Sequence, residues 1–307
     1  MKFMQTHLDE AQILYFEQQL QKIHSQVFEK KYPAVKARDI FPFENESRPG
    51  VKELVYRIYG DVGYAKIISN YADDLPRVDL LAEEMRAKVR PIGDAYGYSV
   101  DDIQTAQLTG LDLDGRKAAI ARRKQLVTEN RLAWFGDANY NIQGFLNHPN
   151  IPLSTVPADG QGGLTTFASK SADQILRDIL DLFNSIQDQT NEVHVANTLL
   201  LPTDKSVKTA LQKRIPDTSK TVLQYIKENH PEIQRIEYVK ELNNPFGNGN
   251  MMVAGEFDPE NLTLEVPQEF QPMPAQLRNL EYLINCWAKT AGVIVRFPLA
   301  FAFADGI

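Results

Sequence analysis

The chain has 307 residues, 43% of them hydrophobic and 24% charged, a composition that suits an ordinary soluble globular protein and argues against intrinsic disorder. Thirty-three basic residues against forty acidic ones give a net charge of -7, so the surface as a whole is not that of a DNA-binding protein. A single cysteine, Cys286, excludes an internal disulfide framework and a Cys-based zinc cluster, in keeping with a reducing compartment.

No apolar run approaches the ~18 residues of a membrane span, so no membrane partner is expected. The first residues, Met1 to His7, lack the apolar stretch of a secretory signal, and folding in a cytoplasm is the expectation. From Leu8 to Lys30, Ile13, Phe16, Leu20, Ile23 and Val27 recur at spacings of three and four and predict an amphipathic helix ended by Tyr32-Pro33. It packs on its own domain or on a neighbouring copy.

Gly50 to Gly97 reads as two strand-like arms around a polar tip, Asn70 to Asp79, which carries Asp73, Asp74, Pro76 and Arg77. Each arm of about sixteen residues would reach roughly 50 Å, similar to the ~50 Å diameter that radius scaling gives for the whole chain. An isolated two-stranded ribbon is marginal in water, so the arm is expected to lie on a second copy. In the return arm Met85, Ala87 and Val89 alternate with Arg86, Lys88 and Arg90, which predicts one cationic face. That face either discourages edge aggregation or docks on acids of an adjacent subunit.

A helical region is predicted from Ser99 to about Asp137, with Asp101 and Asp102 in its first turn and a bend or break at Gly110 to Gly115. Its second half carries Arg116, Lys117, Arg122, Arg123, Lys124 and Arg131 against the lone acid Glu129. These bases are either a plain exposed face or a salt-sensitive, sequence-independent surface for phosphates.

Asn139 to Ala168 reads as loops with short hairpins. Ser171 and Gln174 then form a possible capping box before a helix whose inner face is Ala172, Ile175, Ile179, Leu182 and Ile186. A buried strand over Val195 to Leu201, helices over Thr203 to Lys213 and Thr218 to Asn229, and strands near Ile233 to Lys240, Met251 to Phe257 and Leu262 to Val266 make a mixed α+β unit. Asn243 to Asn250 is its flexible loop. Strand-rich sequence from Tyr282 to Phe303 predicts a carboxyl end tied into a sheet.

No nucleophile elbow, P-loop, zinc-protease helix or kinase signature occurs, and Gly247-Asn248-Gly249-Asn250 does not complete a dinucleotide fingerprint. The five histidines have no ligand spacing, Asp112 to Gly115 is too short for a calcium loop, and Cys286 beside Trp287 reads as a buried inert thiol. No enzymatic activity, metal or cofactor is expected.

Gly63-Tyr64-Ala65-Lys66-Ile67-Ile68-Ser69-Asn70-Tyr71-Ala72-Asp73-Asp74-Leu75-Pro76 resembles a bacterial and prophage family of tailed-phage major capsid proteins. Trp134-Phe135-Gly136-Asp137, Gly144 to Pro149, Leu200-Leu201-Pro202, Arg296 to Ala300 and Asp305-Gly306-Ile307 are similar to that family in order and spacing. The resemblance implies an α+β fold, the capsid fold named after phage Hong Kong ninety-seven. Residues 1–48 would be an amino-terminal arm, 49–98 an extended loop, 99–170 a spine helix with the peripheral domain, and 171–257 an axial domain. Residues 258–307 would return to the peripheral domain, their end rejoining the axial one.

It further implies self-assembly into hexamers and pentamers of an icosahedral shell around double-stranded DNA, in a virion built in a host cytoplasm. Portal, separate scaffold and decoration proteins would be partners. Lys66, Asn70, Asp73, Asp74, Arg77, Arg86, Lys88 and Arg90 would make inter-subunit contacts through the extended loop, while Arg116, Lys117, Arg122, Arg123 and Lys124 would face the DNA-filled interior. Asn243, Asn244, Asn248 and Asn250 would face a capsomer axis. Some members of the fold join subunits by Lys to Asn isopeptide bonds, for which Lys66 and Asn285 are conceivable partners without a supporting local motif. The alternative on the same fold is a cargo-holding protein nanocompartment.

Overall fold

A computed structural model describes residues 33–45, 50–67, 75–109, 113–216 and 218–307. The chain divides into two units, residues 1–34 and 35–307, and the second is the one described below. The helix expected over Leu8 to Lys30, and Asn70, Asp73 and Asp74 at the tip, lie outside the described residues.

Helix α1 (Ala37–Ile40) leads to strand β1 (Phe43–Glu44), after which β2 (Glu53–Val62) and β3 (Asp79–Lys88) form an antiparallel ribbon paired with no other described strand. The return arm does not continue to Gly97. At Val89, buried and donating its N–H to Lys52 O at 2.9 Å, the chain changes neighbour. Strand β4 (Arg90–Ser99) then runs antiparallel to β14 (Glu281–Thr290), from Arg90↔Thr290 to Ser99↔Glu281. Each ribbon arm therefore has ten residues, about 33 Å at the usual rise, well short of the expected reach. Alternation in sequence reports extended backbone and runs on through a change of partner, so it cannot separate one long arm from two strands.

The long helical region is α2 (Val100–Thr109) followed by α3 (Leu113–Phe135), and 110–112 between them are not described. Ser99 and Asp102 cap α2 reciprocally: Asp102 N donates to Ser99 Oγ at 3.0 Å and Ser99 N to Asp102 Oδ2 at 3.2 Å. Helix α3 lies on the β4–β14 sheet, where Gln125 Nε2 donates to Asp94 Oδ1 at 2.7 Å.

The Trp134 to Pro149 motif ends this helix. A turn through β5 (Gly136–Asp137) and β6 (Ile142–Gln143) brings the backbone of Phe145 and Leu146 back to donate to Ala133 O and Trp134 O at 2.8 and 2.9 Å. Asn147 Nδ2 donates to Phe135 O. Carbonyls that a helix end leaves unpaired are thus satisfied by the returning chain. Gly136 has φ +64, and a Cβ there would sit 2.4 Å from Gly144 N and Ile142 O, so only glycine fits. Trp134 and Phe145 are fully buried beside it.

After β7 (Leu153–Thr155) comes α4 (Ala172–Thr190), with the Ser171/Gln174 capping box formed and its Ala172, Ile175, Ile179, Leu182 and Ile186 face buried. Strand β8 (Thr198–Pro202), helices α5 (Lys205–Ala210) and α6 (Val222–Asn229), and strands β9 (Arg235–Val239), β10 (Met251–Gly255) and β16 (Phe301–Asp305) complete this part. One five-stranded sheet, β7-β16-β10-β8-β9, organises it. Successive residues of a strand point to opposite faces. Leu199, Leu201, Met252, Ala254, Ala302 and Ala304 accordingly join the core under α4 and α6, while Leu200, Met251, Val253, Phe301 and Phe303 join a second core with Trp134 and Phe145. Strand β16 is paired on both sides, so the carboxyl end is held inside the sheet.

The intervening residues build the other sheets: β11 (Leu262–Glu265) pairs with β1 and β15 (Gly292–Val295), and β12 (Gln268–Pro272) and β13 (Gln276–Arg278) pair with β14. The proline-containing β12 and the three-residue β13 are not announced by the sequence.

Candidate assembly and nucleic-acid surfaces

The ribbon leaves its apolar side chains uncovered. Val55, Tyr59, Val62, Leu80 and Leu81 are 50 to 64% exposed, and Tyr64, Ile67, Leu75 and Val78 around the turn are 61 to 102% exposed. Among the described residues of the two strands, partial cover falls on one face: Leu54, Tyr56 and Ile58 of β2 and Met85 and Ala87 of β3 are half-buried. Monomers rarely expose contiguous apolar surface on this scale without a use for it.

The other face is not the cationic surface expected from β3 alone. Pairing sets Glu53 opposite Lys88, Val55 opposite Arg86 and Arg57 opposite Glu84. Arg86 lies 2.7 Å from Glu84 and 3.8 Å from Glu53, and Arg57 lies 3.5 Å from Glu84. Cross-strand acids from β2 and the in-strand Glu84 balance the bases. Lys88 is exposed, as are Lys66 and Arg77 near the tip. Arg90 lies beyond the ribbon, its Nε donating to Tyr140 O at 3.0 Å. At the root, Tyr56, Arg86 and Ala87 face Phe135, Ile142 and Val293 across a cleft of about 540 Å³.

Helix α3 presents the second surface. Arg116, Arg122, Lys124 and Arg131 are exposed along it, with the apolar Ile120 and Val127 between them. Arg123 is half-buried. Lys117 is turned inward, its Nζ donating to Gly97 O at 2.6 Å and lying 4.1 Å from the Tyr98 ring centre. The one acid beyond Gly115 in this helix is neutralised from within the protein: Glu129 accepts Arg38 Nε and Nη2 at 2.7 and 2.8 Å.

In the loop from Asn243 to Asn250, the asparagines hold the loop together. Asn243 Oδ1 accepts Thr203 N at 2.8 Å, Asn244 Oδ1 accepts Gly249 N at 3.1 Å, and Asn250 Nδ2 donates to Asp204 Oδ2 at 2.9 Å. The Asn250 bond is the main reason the Asp204 carboxyl is held below its ordinary range. A loop expected to be flexible is therefore cross-tied; Asn248 is exposed.

Among the described residues no group of His, Cys, Asp and Glu is arranged to hold a metal ion, and no helix is long and apolar enough to cross a membrane. The Cys286 thiol is buried, and burial first and Asp94 second push its pKa up, away from the reactive thiolate.

Several solved structures share this fold. The capsid of Myoviridae phage XM1 is similar at TM-score 0.78 and 16% identity, over 94% of this chain and 98% of that one. The structure of Microbacterium phage Oxtober96 matches at TM-score 0.67 and 11% identity, over 97% of this chain and 98% of that one. A virus-like particle from Pyrococcus furiosus matches at TM-score 0.55 and 11% identity, over 87% and 91%. No curated protein sequence matches significantly. The family model described as major capsid protein matches residues 63–307, well over half of the chain. This chain therefore belongs to the major capsid protein family and has the Hong Kong ninety-seven fold of tailed-phage shells.

Proposed function

We propose that copies of this capsid subunit close into hexamers and pentamers of an icosahedral shell around double-stranded DNA, assembled in the cytoplasm of a host. The uncovered apolar ribbon carries this reading. Obligate interfaces bury upward of roughly 2,000 Å², and a ribbon that pairs with no other described strand offers such area without enlarging the subunit's own core. The roles assigned to its parts are these: β2 and β3 with Lys66, Arg77, Arg86 and Lys88 are the extended loop laid on a neighbour, α3 is the spine, and residues 243–250 line a capsomer axis.

The work of such a protein is geometric, without a catalytic step. Charge on the ribbon sets register, because exposed pairs contribute only about 0.2 to 1 kcal/mol each, while buried apolar area supplies affinity. Arg116, Arg122 and Lys124, all exposed along α3, fit a surface that meets packaged phosphates without reading sequence. Lys117, which is tied to Gly97, does not belong to that set. Portal, separate scaffold and decoration proteins as partners rest on family membership alone. The nanocompartment alternative is disfavoured by the family match.

Electron microscopy of the purified recombinant protein, with nuclease protection of particles from infected or induced cells, tests this reading. Closed shells enclosing a long nuclease-resistant genome are expected. A stable 34.8 kDa monomer, or shells filled with protein, would overturn it.

A further inference from the structure

Strand β1 immediately precedes the ribbon in sequence and lies parallel on β11, with Glu44 directly opposite Glu265. The backbone bonds holding it there include Leu264 N to Pro42 O at 2.7 Å and Val266 N to Glu44 O at 3.0 Å. The Glu265 side chain is only 6% exposed, and its Oε2 is buried with no donor among the described residues. The register sets the Glu44 carboxyl beside it, and one oxygen of each lies within 4.0 Å of the same Arg296 Nη2. Two carboxylates cannot hydrogen-bond each other without a proton between them.

We propose that Glu44 and Glu265 form a proton-operated latch at the root of the ribbon: one proton shared between them keeps β1 in register on β11, and its loss frees β1 and loosens the ribbon root. The inference goes beyond the shell assignment and stands on the single subunit.

The groups facing the pair are Thr263, Arg296 and, through Arg296, Tyr56. Thr263 Oγ1 lies 3.2 Å from Glu265 Oε1 as donor. Arg296 Nη2 is 3.9 Å from Glu44 Oε2 and 4.0 Å from Glu265 Oε1, too far for a hydrogen bond to either. Its guanidinium is spent on Pro259 O at 2.7 Å and Thr263 Oγ1 at 3.2 Å. The same guanidinium lies 5.9 Å from the Tyr56 ring centre, on β2. With the pair sharing a proton, Arg296 remains between the sheet and the ribbon root. With both carboxylates ionised, their repulsion falls on β1 and their attraction draws Arg296 away from Tyr56.

The direction with pH follows. Burial first, then the hydrogen bond and charge of Glu44, push the Glu265 carboxyl from its ordinary 4.5 up to about 7. When β1 leaves, Glu265 returns toward the ordinary value and releases its proton. The closed register is therefore fully favoured below the ordinary value and loses that advantage as pH rises, by roughly tenfold in the opening constant per pH unit between about 5 and 7, levelling above.

Hydrogen–deuterium exchange of the full chain, read on peptides covering residues 53–58 and 262–266 and corrected for intrinsic exchange, tests the latch from about pH 5 to pH 8. Opening should rise with that slope in the native chain. Glu265→Gln should stay protected and lose the pH dependence. Glu44→Gln, at a side chain 37% exposed, should keep the acid-side protection and narrow the window. A flat native profile, or the native slope retained in both variants, would overturn the proposal.

Discussion

Arg38 grips Glu129 with two hydrogen bonds, Nε to Oε1 at 2.7 Å and Nη2 to Oε2 at 2.8 Å, and so ties the short helix before the ribbon to α3. Glu129 is 6% exposed. Removing the guanidinium would leave a buried, uncompensated carboxylate, a situation that costs about 3 to 5 kcal/mol. Arg38→Ala should therefore lower unfolding stability by about 3 kcal/mol in a denaturant titration, and Glu129→Gln by less, since an amide keeps part of the hydrogen bonding. Equal, negligible losses would mean the bond carries no weight.

Gly136 is a second stabilising point, just past the carboxyl end of α3. Its positive φ and the 2.4 Å that a Cβ would have to Gly144 N and Ile142 O leave no room for relief, because the obstructing atoms are backbone. Gly136→Ala should cost upward of about 2 kcal/mol, or prevent folding. Gly162→Ala, at φ +78 with open space around it, separates the causes: it bears the dihedral strain without the clash and should cost only about 1 kcal/mol.

What the sequence disclosed divides along physical lines. The α4 helix was legible to its cap because Ser171, Gln174 and a five-residue apolar face are all local signals. The ribbon's existence and need of cover were legible for the same reason, whereas its length was not, because the switch at Val89 depends on β14, almost two hundred residues away. The cationic face failed in part likewise: Glu84, two residues before Arg86 on the same face, is readable in β3, but Glu53 reaches Arg86 only through cross-strand register. The Glu44–Glu265 pair has no sequence signal at all, since it exists only where β1 meets β11. The Trp134 to Pro149 motif was carried by resemblance, and its physical role as a helix terminus appeared only with the backbone bonds.

Because Glu129 is neutralised internally by Arg38, the exposed side of α3 retains Arg116, Arg122, Lys124 and Arg131. Arg122→Gln with Lys124→Gln should leave the subunit fold unchanged within about 0.5 kcal/mol, as surface substitutions do. DNA retained per particle should fall while the yield of shells stays near native, and the deficit relative to the native shell should be largest at low salt and narrow as salt rises, because fewer phosphate contacts release fewer counterions and flatten the salt dependence. Particle counting and quantification of protected DNA check both arms. Full packaging by the variant would remove α3 from the genome-facing surface.

Leu80 and Leu81 sit side by side in β3, each 64% exposed, and their side chains point to opposite faces of the ribbon. A side chain that already stands in water contributes little to the isolated fold, while burying a leucine against a partner is worth about 1.5 to 3 kcal/mol. Leu80→Ser and Leu81→Ser should therefore leave the melting transition of the subunit nearly unchanged. In a shell the loss repeats at every copy, and assembly followed by light scattering should require a higher protein concentration or fail. The two variants also report which face is covered: if one neighbour packs on a single face, one substitution blocks assembly and the other is tolerated. Normal shells from both, at native concentration, would mean that neither face near the tip is buried by a neighbour, and the ribbon's assigned role would fall with them.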